Sequence, residues 1–305
     1  MVKLHLMKPI YYIPLCFLFL FCNEPADKTK VISKEAKAVI SEAKHPKFNS
    51  YWSQGKAEIT SYQLTQSRYG EIHEGTAVNI FVTEDFLPEK QVKADSKNDK
   101  NIPVLKLNST KKFVTGMYPY SLMTSTFSPI NTSKNAVKIS FSSQEWCGNT
   151  FVQLNNREQF EIDFHSYFER NADRKLAIKK AVLENDLWNT LRINPKNLPI
   201  GKFNIIPSFE FLALNHQEIK SYTAETSLKK VDDFILFTIN YPSLERTLTI
   251  KATQEFPFSI ESWEETILRK GKKATTKATR IKTIQAAYWN KNGVSDTKER
   301  KALGL

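Results

Sequence analysis

One thiol, one imidazole and a neighbouring carboxylate are the side chains whose types and spacing could support covalent chemistry. Cys147 would be the nucleophile, His165 the base that makes the thiolate, and Glu145 or Asp163 the carboxylate that orients the imidazole. The competing interpretation is structural, with Cys147 a small buried apolar residue and His165 a solvated residue on the polar face of a strand. We favour the structural interpretation and assign no catalytic residue.

Motifs for metals, nucleotides and other hydrolases are missing from the sequence. The five histidines never occur at the i, i+4 spacing that places two ligands on one helix face, so no metal site is expected. Gly70 and Gly75 have the spacing of the P-loop glycines, but Thr76 stands where lysine is required. Trp146-Cys147-Gly148 is similar to a thioredoxin motif, yet Thr150 occupies the place of the resolving cysteine. We therefore expect no cofactor.

Aromatic residues suggest a binding surface instead of a catalytic one. Six of them come from neighbouring segments in the middle of the chain and could line the concave side of a curved sheet, where they would bind a lipid-like ligand or a glycan. The alternative is that they form an aromatic core, which is the commoner use of such residues. The six are Tyr118, Tyr120, Trp146, Phe151, Tyr167 and Phe168.

The chain is strongly basic, with a formal net charge of +12. Such a charge attracts anionic surfaces over about a Debye length, although it does not define a binding site. The most basic segment, from Lys270 to Lys282, is a candidate hairpin that either contacts anionic lipid or protects an edge strand from pairing with another chain. No nucleic acid is expected as a partner.

The first 22 residues read as a leader for export. Lys3 and Lys8 are followed by an apolar run from Ile10 to Phe21, which is too short for a transmembrane helix of about 20 residues and fits a signal sequence. Cys22 stands where bacterial lipoproteins are cleaved and acylated, although Phe21 replaces the usual small residue before it. We expect a lipid anchor on Cys22, with a simple apolar leader as the alternative. The predicted location is periplasmic or anchored to the outer membrane.

The rest of the chain divides into a polar segment and a β domain. Residues 23–46 are predicted to form a tether and a short amphipathic helix, and 47–305 a β domain with a possible internal boundary near 195. Apolar residues alternate with polar ones, which is the period of an antiparallel strand with one buried face. Predicted strands are 56–64, 76–83, 104–108, 118–127, 137–142, 151–155, 160–165, 209–214, 219–228, 234–240, 244–252, 258–263 and 274–284.

One long helix interrupts these strands in the prediction. Asp173 would cap it, Leu176, Leu183, Leu187 and Leu191 would follow one face, and Pro195 would end it. Many short strands with one packed helix predict a mainly β fold, namely an antiparallel meander in an open or half-closed β-barrel.

Several motifs also resemble a family of exported bacterial lipoproteins, from about residue 47 to the end. Members are often labelled "septum formation inhibitor Maf", the name of nucleotide pyrophosphatases that carry a Ser-x-Ser-Pro-Arg-Arg loop. The nearest fragment here is Gln66-Ser67-Arg68, so that activity is not carried over. The motifs are Tyr51-Trp52, Gly55-Lys56-Ala57-Glu58-Ile59-Thr60-Ser61-Tyr62, Phe81-Val82-Thr83-Glu84-Asp85-Phe86, Thr115-Gly116-Met117-Tyr118-Pro119-Tyr120-Ser121 and Ser143-Gln144-Glu145-Trp146-Cys147-Gly148.

The sequence thus favours a non-enzymatic lipoprotein of the cell envelope. Its expected partners are the membrane, through a lipid on Cys22, and an apolar ligand or envelope partner on a concave sheet. The alternative is an enzyme, either a hydrolase that uses Cys147 or the pyrophosphatase that the family label implies.

Overall fold

Alternating apolar and polar residues produce one very large β-sheet. The structure, a computed structural model, describes residues 43–132, 134–269 and 271–305. The predicted leader, the predicted site of lipid attachment at Cys22 and most of the predicted tether lie outside the described residues. In the strand Phe160–Ser166, for example, Phe160, Ile162 and Phe164 are buried while Glu161 and His165 are exposed, as the period of two predicts.

Sixteen strands and four α-helices lie within the described part of the chain. The strands are β1 Ala57–Arg68, β2 Glu71–Leu87, β3 Val92–Lys93, β4 Ile102–Thr115, β5 Tyr118–Pro129, β6 Lys138–Glu145, β7 Gly148–Asn156, β8 Phe160–Ser166, β9 Arg174–Ile178, β10 Val182–Leu183, β11 Gly201–Ile206, β12 Tyr222–Val231, β13 Phe234–Tyr241, β14 Arg246–Thr253, β15 Ile260–Arg269 and β16 Lys272–Ala286. The helices are α1 Phe48–Trp52, α2 Glu184–Ile193, α3 Phe209–Leu214 and α4 Thr297–Ala302.

The fold is mainly β, and its sheet is mostly antiparallel, as predicted. Its strand order is β10-β11-β12-β13-β14-β15-β16-β1-β2-β4-β5-β6-β7-β8-β9, with β3 paired to β2, and only the β10–β11 pair is parallel among the described strands. The two ends of this order, β10 and β9, do not pair, so the sheet is not closed into a barrel. The basic strand β16 lies between β15 and β1, which shows that it is not an edge strand in need of protection.

The predicted long helix is replaced by a strand and a shorter helix. Residues Arg174–Ile178 form β9, which pairs with β8, and α2 has only 10 residues. The prediction that Asp173 caps a helix is therefore wrong. Its carboxylate accepts a hydrogen bond from the Ser166 backbone N–H instead. Arg174-Lys175-Leu176-Ala177-Ile178 also alternates with a period of two, and pairing with β8 selects that conformation.

A second correction concerns α3, because 209–214 was predicted to be a strand. Ser208 caps the helix by accepting a hydrogen bond from the Phe211 backbone N–H at 3.2 Å. The predicted strand starting at 219 begins instead at Tyr222. The other predicted strands are confirmed, with ends that differ from the prediction by between none and seven residues.

The hydrophobic core lies on one face of the sheet, which we call the inner face. Helices α2 and α3 and the short α1 pack there against the large apolar side chains of both halves of the sheet. A smaller cluster on the outer face joins Leu303, just after α4, to Ala57 and Ile59 of β1. Strand β1, in the middle of the sheet, is thus covered on both faces, by the core on one side and by this smaller cluster on the other, and most of its residues are buried.

Antiparallel pairing places alternate turns at opposite ends of the sheet. The turns Tyr69–Gly70, Gly116–Met117 and Trp146–Cys147, the segment that begins at Tyr167, and the start of β16 share one end, which we call the hairpin edge. The N-terminal end of β1 and the C-terminal end of β12 lie at the opposite edge. Among the described residues, no helix has the length and apolar character required to cross a bilayer.

Candidate functional site

The inner face carries a buried ion pair between β1 and α2. The Arg192 guanidinium donates to both carboxylate oxygens of Glu58, at 2.6 and 2.7 Å, and both side chains are about fully buried. Burial alone would raise the pKa of Glu58, but the Arg192 charge and its hydrogen bonds hold that pKa below its ordinary value. Arg192 also lies over the rings of Trp52 and Phe81.

A second buried pair joins α2 to the other half of the sheet. Arg246 of β14 donates to both oxygens of Glu184, at 2.5 and 2.7 Å, and its Nε donates to Glu265 at 2.5 Å. The Tyr241 hydroxyl donates to the same Glu184 carboxylate at 2.7 Å. These bidentate, hydrogen-bonded charges hold α2 between the two halves of the sheet.

Asp186 of α2 is a buried carboxylate with hydrogen bonds but no cation among its described partners. Its Oδ2 accepts from the Ala136 backbone N–H at 2.9 Å, and its Oδ1 accepts from the Ser128 hydroxyl. Burial raises the pKa of Asp186 to about 6, because two neutral donors compensate only partly for lost hydration. Asn189, one turn further along α2, donates to the Leu105 carbonyl and to Ser128.

Little empty space remains at the centre of the inner face. The cavity between α2, α3 and strands β4, β5, β14 and β15 has a volume of about 60 Å³, which suits a few water molecules rather than an acyl chain. Lys111 and Glu210 pair across it at 2.6 Å. The inner face therefore offers no room for a large apolar ligand at its centre.

A larger cleft opens at the hairpin edge, between β1, α3, β15 and β16. We call it the edge cleft; its volume is about 290 Å³, close to the lower end of small-molecule sites. Glu210 and Glu265 lie at its inner end and also line the central cavity. Its wall contains Gln66, Ser67, Arg68, Tyr69, Gly70, Ile72, Phe211, Leu214, Asn215, Ile267, Arg269, Lys272, Lys273, Ala274, Thr275 and Thr276.

Four cations line this cleft: Arg68, Arg269, Lys272 and Lys273. None of them forms an ion pair with a carboxylate in the described part of the chain. Both carboxylates at the inner end are occupied, Glu210 by Lys111 and Glu265 by Arg246. The positive charge of the cleft is therefore left for a partner from outside.

Polar atoms within the cleft also lack partners. Arg68 donates through Nη1 to the Leu214 carbonyl at 2.8 Å, but its Nε has no hydrogen-bond partner in the structure. Gln66 is 5% exposed, and its Oε1 has none either, while its Nε2 donates to Thr276. A buried polar atom without a hydrogen-bond partner costs free energy. These atoms are therefore available to hydrogen-bond a ligand or water in the cleft.

The six predicted aromatic residues divide between three environments. Tyr120 is buried and stacks on Phe113, and its hydroxyl bonds to the Tyr69 hydroxyl at 2.7 Å. Phe151 lies on the outer face of β7, opposite His165. The remaining four lie at or near the hairpin edge: Tyr118, Trp146, Tyr167 and Phe168.

The proposed catalytic trio is not arranged for nucleophilic chemistry. Cys147 is exposed in the β6–β7 turn, which corrects the interpretation that it is a buried apolar residue. The Glu145 carboxylate accepts a hydrogen bond from the Cys147 backbone N–H at 2.9 Å, and its hydrogen bonding and negative charge beside the thiol raise the pKa of Cys147. His165 lies on the outer face and pairs with Asp173 at 3.4 Å. A thiol with a raised pKa is a poor nucleophile at neutral pH.

Sequence reasoning missed the residues that form the edge cleft, apart from Lys272 and Lys273. A signal for one wall was present, since Tyr69-Gly70 separates two alternating segments and thus marks a turn. The fragment Gln66-Ser67-Arg68, noted only for its likeness to a pyrophosphatase loop, supplies three residues of the wall. In the described residues, no cluster of three or more His, Cys, Asp and Glu side chains could hold a metal ion.

Comparisons with protein-family models, with curated proteins and with solved structures find no match to this chain.

Proposed function

We propose that this protein is a non-enzymatic lipoprotein of the cell envelope that binds an amphiphile with an anionic head group in the edge cleft. The observation that carries the proposal is the set of four cations, unpaired among the described residues, beside an apolar wall. Phe211, Leu214 and Ile267 supply that wall. The envelope location rests on the leader and Cys22 in the sequence.

The chemistry of the cleft favours an anion with a short apolar segment. Arginine presents a planar fork that matches carboxylate and phosphate oxygens, and lysine adds a mobile point charge. The cleft is too small for a whole diacyl lipid, because its volume is about 290 Å³. A head group with the first part of one chain would fit, with the rest of the chain outside.

Dodecyl phosphate below its micellar concentration is a suitable probe, with dodecyl maltoside as its uncharged counterpart. We expect calorimetric titration to detect dodecyl phosphate alone, and the Lys272→Gln, Lys273→Gln double variant to weaken binding about tenfold. Lys229→Gln, Lys230→Gln is the matched control, because these exposed lysines remove the same charge near the opposite edge. Equal binding of both probes, or equal losses in both double variants, would refute the proposal.

A further inference from the structure

Large apolar side chains are unusually exposed at the hairpin edge. Met117 is 78% exposed, Tyr167 75%, Trp146 67% and Tyr69 59%. Elsewhere outside the strands Val294 is 90% exposed, Ile200 54% and Trp289 47%, whereas Val92 and Val231, in strands at the opposite edge, are 45% exposed each. Single exposed apolar residues are ordinary, but four of the largest at one edge indicate an interaction surface.

The pairing of the strands arranges these four side chains in a row. The β1–β2, β4–β5 and β6–β7 turns and the end of β8 follow one another along the sheet, since β2 pairs with β4, β5 with β6 and β7 with β8. Consecutive turns are two strands apart, which is about 10 Å at the usual strand spacing. The row therefore extends over about 30 Å.

Tight turns hold the row in place. Tyr69 and Gly70 both have positive φ, at 54° and 86°, as a two-residue type I′ turn requires. Gly116, with φ of 57°, allows the equally short β4–β5 turn. Tyr167 packs against Gly148, where an added Cβ would approach the ring to within 2.7 Å. Because the turns are short, these exposed side chains are held at the edge with little backbone freedom to lose.

The chemical character of this row fits a lipid surface. Tryptophan and tyrosine favour the boundary between hydrocarbon and head groups, where the ring is apolar and the polar atom remains hydrated. The cations of the edge cleft lie beside the row, and Arg68 sits under the Tyr69 ring at 4.7 Å. Apolar tips separated by about 10 Å suit a fluid surface better than a protein partner, which needs a continuous complementary patch.

We propose that the hairpin edge docks on an anionic bilayer, with Tyr69, Met117, Trp146 and Tyr167 inserted among the head groups. The docking does not depend on the occupant of the edge cleft. It brings the mouth of the cleft to the surface where amphiphiles reside.

The single described cysteine provides a reporter at the centre of this row. Cys147 follows Trp146 and is exposed. In a full-length chain with Cys16→Ser and Cys22→Ser, which leaves Cys147 as the one thiol and removes the site of acylation, Cys147 can carry an environment-sensitive fluorophore. Vesicles of equal parts phosphatidylethanolamine and phosphatidylglycerol should shift the emission to the blue and protect the fluorophore from iodide. A Cys147→Ser, Lys230→Cys chain, labelled near the opposite edge, should show neither change.

Two comparisons separate this proposal from its alternatives. Met117→Ser with Tyr167→Ser should weaken vesicle binding about tenfold yet leave dodecyl phosphate affinity unchanged, since neither residue lines the edge cleft. Neutral phosphatidylcholine vesicles should bind more weakly than anionic ones. A fluorophore at Cys147 that stays open to iodide with anionic vesicles would overturn the docking, whatever the result for the cleft. Equal protection at Lys230→Cys would also overturn it, because that outcome reflects attachment through another part of the chain.

Discussion

The inner face and the edge cleft hold charged side chains in opposite ways. On the inner face Glu58, Arg192, Glu184 and Arg246 are fully buried, and each has an opposite charge at hydrogen-bond distance. In the edge cleft the cations are exposed or half-buried and have no carboxylate partner among the described residues. Buried pairs fix the position of α2, whereas unpaired cations at a surface are available for binding. The difference separates structural charges from functional ones.

The largest expected effect comes from breaking a buried pair. Arg192→Met should lower the free energy of unfolding by about 3–5 kcal/mol, because it leaves the Glu58 carboxylate buried without its cation. Urea denaturation would measure the loss. The double variant Glu58→Leu, Arg192→Met should recover part of it by removing the stranded charge, although the Tyr51 hydroxyl then loses its acceptor. A loss under 1 kcal/mol in the single variant would show that the inner-face charges are not structural.

Asp186 is the intermediate case, a buried carboxylate without a cation among its described partners. Its raised pKa means that, between pH 3.8 and about 6, the folded protein keeps a proton that the unfolded chain has released. The unfolded state binds fewer protons in this window, so the contribution of Asp186 to stability falls as the pH rises. The difference between 3.8 and about 6 corresponds to about 3 kcal/mol.

Asp186→Asn should therefore remove this pH dependence. The difference in unfolding free energy between the variant and the natural chain should shift by about 2 kcal/mol in favour of the variant from pH 4 to pH 7, because part of the total of about 3 kcal/mol lies below pH 4. Ser128→Ala deletes a hydrogen bond that lowers the pKa, so it should extend the window to higher pH. Parallel pH profiles for the natural chain and Asp186→Asn would contradict the assignment.

The sheet could be predicted from the sequence because each strand carries its own signal. Alternation in β8 needs no knowledge of the rest of the chain, since one face meets the core and the other meets water. Leu176, Leu183, Leu187 and Leu191 misled the prediction because they fit a helical stripe, while the neighbouring strand β8 determines that Leu176 belongs to β9.

The site could not be predicted in the same way, because it depends on contacts between distant segments. Glu58 and Arg192 are 134 positions apart, and no local pattern connects them. The edge cleft likewise joins β1, α3 and β16, and α3 was itself predicted to be a strand. Aromatic residues could be recognised as candidates from their types, but whether they face the core, the outer face or the hairpin edge follows from register and turn position.

The smallest expected effect tests the Glu145 carboxylate, which lies outside the core at the hairpin edge and accepts a hydrogen bond from the Cys147 backbone N–H. Glu145→Gln should bring the pKa of Cys147 back towards its ordinary value and speed its alkylation by iodoacetamide about two- to tenfold in the Cys16→Ser, Cys22→Ser background. Glu161→Gln, on the outer face of β8, is the control and should leave the rate unchanged. Neither substitution should move the midpoint of urea denaturation, since both carboxylates are outside the core. A Cys147 that reacts faster than a free thiol at neutral pH, in the otherwise natural chain, would contradict the raised pKa. A hydrolase that uses Cys147 would then be the better interpretation of the hairpin edge.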